Sequence, residues 1–242
     1  MADIIELIKS RRNVEKFSTK PVSWDKISRI LDAGRHAPSC GNLQNWKFIV
    51  VNDTDKKQEI AEYCHEQYEI TAAPTLIVIC AEPQKAERYY GLRGLKLYTI
   101  QNCAAAAQNM LLEAHSLDLG GRWIGAFEED DVREVLRIPS EARPQIILAI
   151  GHPEHVPDKP SKYPLETVVY LNKWRNRITD IAKEMGDYSD ILKRNVEKYT
   201  KGAKIVTDTV TSKSSPVVKS LFGQIKDKFK KKKKKDSDTE IE

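Results

Sequence analysis

The stretch TLIVICA, residues 75–81, carries no charge and is rich in β-branched side chains. It lacks the apolar/polar alternation of a half-buried strand, and Pro74 and Pro83 bound it at strand length. It therefore reads as a strand buried on both faces. WKFIVV, residues 46–51, and QIILAIG, residues 145–151, read the same way. Strands buried on both faces need helices on both sides. The expected fold class is α+β in α/β layers, a sheet flanked by helices.

The intervals between these strands supply the helices. Ile4, Ile5, Leu7 and Ile8 predict a short first helix ending near Ser10-Arg11-Arg12. Ser23 is placed to cap a second, with Trp24, Ile27, Ile30 and Leu31 at helical spacing and Ala37-Pro38 as its stop. Residues 54–70 and 128–137 read as helical. Residues 95–117, containing CAAAAQNMLLEAH, form the strongest helix, because alanine favours helix and lets backbones approach closely. GGRWIGAF, residues 120–127, reads as a glycine-punctuated break. No internal repeat is visible. Regular patterning weakens after Trp174, so the chain divides into a domain over 1–180, a partly helical extension over 181–202, and a linker with a basic tail over 203–242.

Charge follows that division. The whole chain has a formal net charge of +5, but residues 201–242 hold 12 Lys against 6 Asp and Glu. The basic character belongs to the tail. Within it, Val217, Val218, Leu221, Phe222, Ile225 and Phe229 share one helical face, and six lysines follow at 230–235. Two readings stand: a solubilising basic end, or an amphipathic helix on an anionic membrane surface through residues 217–235. No aromatic platform accompanies the lysines, so no specific nucleic acid is expected. Cys40, Cys64, Cys80 and Cys103 have no metal-ligand spacing and read as free thiols in a reducing compartment; no metal is expected. The N-terminus lacks a secretory pattern, and no apolar run reaches membrane-spanning length. The expected location is cytoplasmic, peripheral at a membrane if the tail binds there.

Three polar groups are candidates for chemistry, each with a plain structural reading beside the functional one. Arg11-Arg12-Asn13 is either a basic helix end or a phosphate grip, since guanidinium donors bind two oxygens at once. Ser39, Asn42 and Gln44 are either loop caps or partners for a heterocycle edge carrying C=O and N–H groups. In GGRWIGAF, Gly120, Gly121 and Gly125 mark either a turn or a backbone that a planar ligand can approach. The five histidines are scattered and read as structural or exposed. No hydrolase, zincin or P-loop motif is present, so a cofactor would carry any reaction.

IKSRRNVEKF, PVSWDKISRILDAGRHAPSCGNLQNWKFIVV, APTLIVICAEP, IQNCAAAAQNMLLEAHSLDLGGRWIGAF and YPLETVVYLNKW together resemble the FMN-dependent nitroreductase family, in order, across residues 4 to 174. The resemblance implies a mixed sheet wrapped by helices and a homodimer with C-terminal strand exchange, ETVVY at 166–170 being the crossing strand. An FMN would lie in each of two interface clefts. It implies NADH or NADPH as donor and a small-molecule, electron-poor acceptor such as a nitroarene or quinone, with ping-pong kinetics. By position, Arg11 and Arg12 match the basic pair at the FMN phosphate, with Asn13 where Ser is common. Lys162 matches a further basic residue at the phosphate. Pro38, Ser39 and Asn42 match residues given to the flavin by the second subunit, and Gln44 the loop's other amide. Ile124 and Gly125 match backbone packed along the flavin. No side chain is expected to act as a catalytic base. Glu15 stands in the substrate cleft where a basic residue is common, and Asn45 stands where proline is usual. No extra lid is visible between Ala81 and Leu95, which favours an open site. The alternatives are a specialised relative, dehalogenating or flavin-fragmenting, and a non-enzymatic flavin-binding protein recruited by its tail.

Overall fold

In a computed structural model, residues 3–177 are described. The tail and the extension, with every expectation placed on 181–242, lie outside the described residues. The chain divides into two units, Met1–Ser161 and Lys162–Glu242.

The first unit has three layers. Its sheet contains β1 (Phe17–Ser18), β2 (Trp46–Val51), β3 (Thr75–Ala81), β4 (Gly120–Ile124) and β5 (Arg143–Pro153). β5 is the centre. It pairs with β3 along one edge, and β3 pairs with β2; along its other edge it pairs first with β4 and then with β1. These pairings are all antiparallel, and a single parallel bridge joins Asn13 to Gly121.

The expected double burial is met by β3, every residue of which is buried. Leu76, Val78 and Cys80 face one core with Ile147 and Ala149 of β5; Ile77, Ile79 and Ala81 face the other with Ile146, Leu148 and Ile150. Helices α3 (Thr54–Tyr63) and α6 (Glu129–Leu136) cover the first face, and α2 (Trp24–Arg35) and α5 (Thr99–Ser116) the second. Each fully buried Leu or Ile contributes about 1.5–3 kcal/mol. WKFIVV departs from the expectation. Among the described residues β2 pairs only with β3, so it is an edge strand there, and Lys47 is exposed on it.

The helices differ from expectation mainly at their ends. Ser23 holds the cap position of α2 without a side-chain hydrogen bond. The helix expected over 54–70 stops at Tyr63, because His65 and Glu66 take left-handed φ values. The run expected from residue 95 begins with a π-turn, Gly94–Tyr98, before α5 proper. GGRWI is a strand, not a break. Its glycines make room for packing: a Cβ on Gly120 would meet Val14 Cγ2 at 2.6 Å, and one on Gly121 would press on Leu111 Cδ2.

The interval after β3, read as carrying no lid, forms α4 (Pro83–Arg93). Pro83 at its first turn is favourable there, since the missing N–H is an orphan in any helix. In the second unit, ETVVY is helical over its first three residues and extended at Val169. Leu165–Val168 is one helical turn, α7, held by the Thr167 hydroxyl donating to the Pro164 carbonyl at 2.7 Å, and Tyr170 bridges Arg177. No described helix is long and apolar enough to cross a membrane.

Candidate functional site

α1 (Ile4–Ser10) begins at Asp3, whose carboxylate accepts from Ile5 N at 3.1 Å, and ends against α5. There Ser10 Oγ lies 2.8 Å from His115 Nε2. The next residues enter a cleft of about 240 Å³ whose walls include Arg11, Arg12, Val14, His115, Asp118 and Gly121. Val14 is buried, and its N–H donates to Gly121 O at 3.1 Å. Asn13 Oδ1 accepts from Trp123 N at 3.3 Å. Residues 13 and 14 are thus fastened to β4, which fixes where the two arginines stand.

The arginines differ. Nη1 of Arg12 donates to the carbonyls of Lys9, Ser10 and Arg11 at 2.8–2.9 Å, closing the C-terminal end of α1. The structural reading of the basic pair therefore holds for this nitrogen. The Arg11 guanidinium makes no hydrogen bond or ion pair among the described residues. Burial, with Arg11 and Arg12 nearby, pushes the His115 imidazole below its ordinary value, against an opposing pull from Asp118.

At the far end of β4, Ile124 is buried and places its side chain in the core. Gly125 is exposed, and a Cβ there would meet only Trp123, at 3.3 Å. Of the three glycines singled out in the sequence, Gly125 alone is exposed; Gly120 and Gly121 are buried. Glu15 is exposed and does not line the cleft around Arg11 and Arg12.

The 38–45 loop lies at the opposite end of α5. Cys40 N donates to Asn102 Oδ1 at 3.0 Å, near the start of that helix. From Asn102 to His115 is roughly 20 Å at the helical rise per residue. So the structure does not bring Pro38, Ser39, Asn42 and Gln44 together with Arg11 and Arg12 in one chain's cleft. The loop is built tightly. Gly41, Asn42 and Gln44 have φ of 52°, 55° and 47°. Ser39 Oγ accepts from Gln44 N at 3.0 Å, and Gln44 Nε2 donates to Asn42 Oδ1 at 3.1 Å. The capping reading is correct for these contacts. Pro38, Asn42 and Gln44 nonetheless remain exposed, and Ser39 is half-buried.

Sequence reading missed what anchors this loop. Asn45 is fully buried. Its Oδ1 accepts from Asn102 Nδ2 at 2.7 Å, and its Nδ2 donates to Thr99 Oγ1 at 3.2 Å and the Glu82 carbonyl at 3.3 Å. Thr99 donates in turn to Gly94 O at 2.9 Å. The residue in the usual proline position is therefore a hub tying β2 to α4 and α5. Tyr90 of α4 places its hydroxyl where a Cβ on Gly41 would stand. The amides Asn45 and Asn102 at helix and strand starts were the available signal. Lys162 belongs to the second unit, where Tyr163, Leu165, Val168 and Trp174 are all exposed.

The family model described as Nitroreductase family matches residues 8–72 and 66–152. A Methanothermobacter thermautotrophicus protein whose name carries both NADH dehydrogenase and NAD(P)H nitroreductase is 30% identical over 176 residues, 71% of this chain and 88% of its own length. The NADPH-flavin oxidoreductase of Vibrio harveyi is 26% identical over 214 residues, 86% of this chain and 88% of that one. An FMN-dependent nitroreductase structure from Clostridium difficile R20291 superposes with a TM-score of 0.62 at 27% identity, covering 70% of this chain and 99% of that one.

Proposed function

The chain belongs to the nitroreductase family, and from that premise we propose that it is an FMN-dependent NAD(P)H oxidoreductase acting on a small electron-poor acceptor such as a nitroarene or quinone. The observation that carries the reading is the cleft at the C-terminal end of α5: the Arg11 guanidinium, without a partner among the described residues, beside the strand that ends in exposed glycine backbone at Gly125. These residues fit FMN. Arg11, with the donors of Arg12 that the α1 carbonyls do not occupy, would hold the phosphate. The exposed backbone at Gly125, with Ile124 anchored behind it in the core, would lie along the ring system. Asn13 would act mainly by fixing the arginines, since its carbonyl is occupied by Trp123. Lys162 would add a further cation. FMN, when bound, would supply the two-electron chemistry that links NADH or NADPH to the acceptor. The chain needs no side-chain base; it binds, orients and excludes water.

Two observations support a homodimer. The residues expected to share one flavin stand at opposite ends of α5, and a two-fold pairing of α5 with its copy would bring the loop of one chain to the cleft of the other. Ile4, Ile5 and Ile8 of α1, and Tyr163, Leu165, Val168 and Trp174, are exposed apolar residues that such a pairing could cover. Strand exchange through ETVVY would require α7 to become extended on association. One cleft serving donor and acceptor in turn gives ping-pong kinetics. Glu15, outside the cleft of Arg11 and Arg12, would place its negative charge near the substrate cleft, which gives no support to a preference for the extra phosphate of NADPH. The domain would end near residue 180, and the tail over 217–235 would serve either as a solubilising basic end or, through its lysine run, as a contact to an anionic membrane surface on the cytoplasmic side.

The test is anaerobic. Protein saturated with FMN should lose its yellow absorbance on addition of NADH or NADPH and regain it with a quinone. Protein that binds FMN but is bleached by neither nucleotide is not this enzyme.

A further inference from the structure

The cleft contains a titratable side chain that the cofactor reading leaves unused. His115 lies on the last turn of α5, half-buried, in the same wall as Arg11 and Arg12. Its Nε2 is 2.8 Å from Ser10 Oγ, and Ser10 Oγ also lies 3.2 Å from the Leu7 carbonyl as donor. A serine hydroxyl has a single proton. When that proton is on Leu7 O, Oγ accepts from His115, and in this tautomer Nε2 carries the ring's hydrogen. The lone pair then resides on Nδ1, to which no group hydrogen-bonds among the described residues.

The charges facing the ring are Arg11 and Arg12, from the segment after α1, and Asp118, from the turn after α5. β5 and the residues after it contribute the uncharged Pro153 and Val156 to the same cleft. With part of its surface buried and two guanidinium groups nearby, the ring resists a proton while the cleft holds no anion. A phosphate dianion reverses the sign of the local field. A ring pre-oriented by Ser10, with Nδ1 unoccupied, is then placed to gain a proton and donate it in a charge-assisted hydrogen bond.

Resting on the FMN reading above, we infer that His115 is a third cationic contact for a phosphate monoester in this cleft, taking up a proton at Nδ1 as the phosphate enters. FMN binding is then linked to proton uptake, which riboflavin, lacking the phosphate, does not share. The proton comes from solvent, and no bond to the cofactor forms or breaks.

Calorimetric titration of the full-length apoprotein tests this, in buffers of different ionisation heat at about pH 7.5, where a phosphate monoester is already a dianion. FMN should bind with net proton uptake and riboflavin without it. Inorganic phosphate should compete with FMN and leave riboflavin binding unchanged. His115→Gln should abolish the uptake and weaken FMN about tenfold, the scale of one charge-assisted hydrogen bond, while riboflavin affinity stays the same. Should that variant fail to fold, NMR titration of the His115 ring in the wild-type protein reads the same event: its pKa must rise when FMN is added. FMN binding without proton uptake, uptake that persists in His115→Gln, or equal uptake with riboflavin overturns the inference and leaves the FMN reading standing. Failure to bind FMN at all overturns both.

Discussion

The two ends of α5 treat polar side chains in opposite ways. At the C-terminal end, Arg11 and His115 enter a cleft with much of their hydrogen-bonding capacity unoccupied. At the N-terminal end, Asn45, Asn102 and Thr99 are buried and joined to one another, and the exposed loop beyond them is closed by Ser39, Asn42 and Gln44. The first arrangement holds donors available for a ligand. The second holds a surface in a fixed shape. Left-handed φ at Asn42 and Gln44 belongs to that second role, since strained backbone persists where its surroundings over-determine it.

The difference makes separable predictions. The largest effect should come from Arg11→Ala. Loss of a charged phosphate contact should weaken FMN roughly a hundredfold, on the scale of 2–3 kcal/mol, with thermal stability hardly changed. Flavin fluorescence quenching and a melting curve read the two together. Asn45→Pro should do the reverse. It removes the hub and leaves Asn102 and Thr99 short of partners, costing about 1–3 kcal/mol of stability, measured by urea denaturation. If Asn45→Pro is neutral, the buried network is not what holds the loop.

Gly41→Ala is a smaller test of the same loop. A left-handed alanine costs roughly 1–2 kcal/mol, and the new Cβ also meets the Tyr90 hydroxyl. Tyr90→Phe removes that oxygen, so Gly41→Ala should cost less in the Tyr90→Phe background than in the wild type. Equal costs would show that α4 does not back the loop.

The cysteines give the smallest effects near neutral pH. Cys40 is half-exposed in the loop, whereas burial pushes the thiol of Cys64 up to about 11 and those of Cys80 and Cys103 up to about 12. A thiol reagent should modify Cys40 alone in native protein. The buried three also fix a sign. Unfolded thiols ionise at an ordinary value of 9.0 while the folded ones still hold their protons, so stability is retained below pH 9 and falls as pH rises through 9 towards 11 and 12. Replacing all three by alanine should flatten that alkaline decline.

Much of this molecule was legible in its sequence because burial leaves a pattern. TLIVICA and QIILAIG are apolar without alternation, and they are the two strands covered on both faces. β4 was not legible. Gly120 and Gly121 read as a break because glycine is poor in strands, but their missing side chains make room for Val14 and Leu111, neighbours that only the fold supplies. Asn45 reads as a departure from the usual proline. Its role could not be read locally, since its partners stand 37 to 57 residues away. His115 reads as one scattered histidine for the same reason: its partner Ser10 lies 105 residues away. The basic pair was found from sequence, but the difference between Arg11 and Arg12 is set by the end of α1.

In the proposed dimer the two ends of α5 serve one flavin from different copies of the chain. Mixed dimers test it most directly. Arg11→Ala damages only the cleft, and Asn42→Trp, at an exposed position, is designed to block only the loop's outer face. Each variant alone should be inactive. Unfolded and refolded together, they should recover roughly a quarter of wild-type activity, because half of the dimers are mixed and each of those has one intact site. A mixture as inactive as its components, with mixed dimers shown to be present, would mean that cleft and loop do not complete a site across two chains.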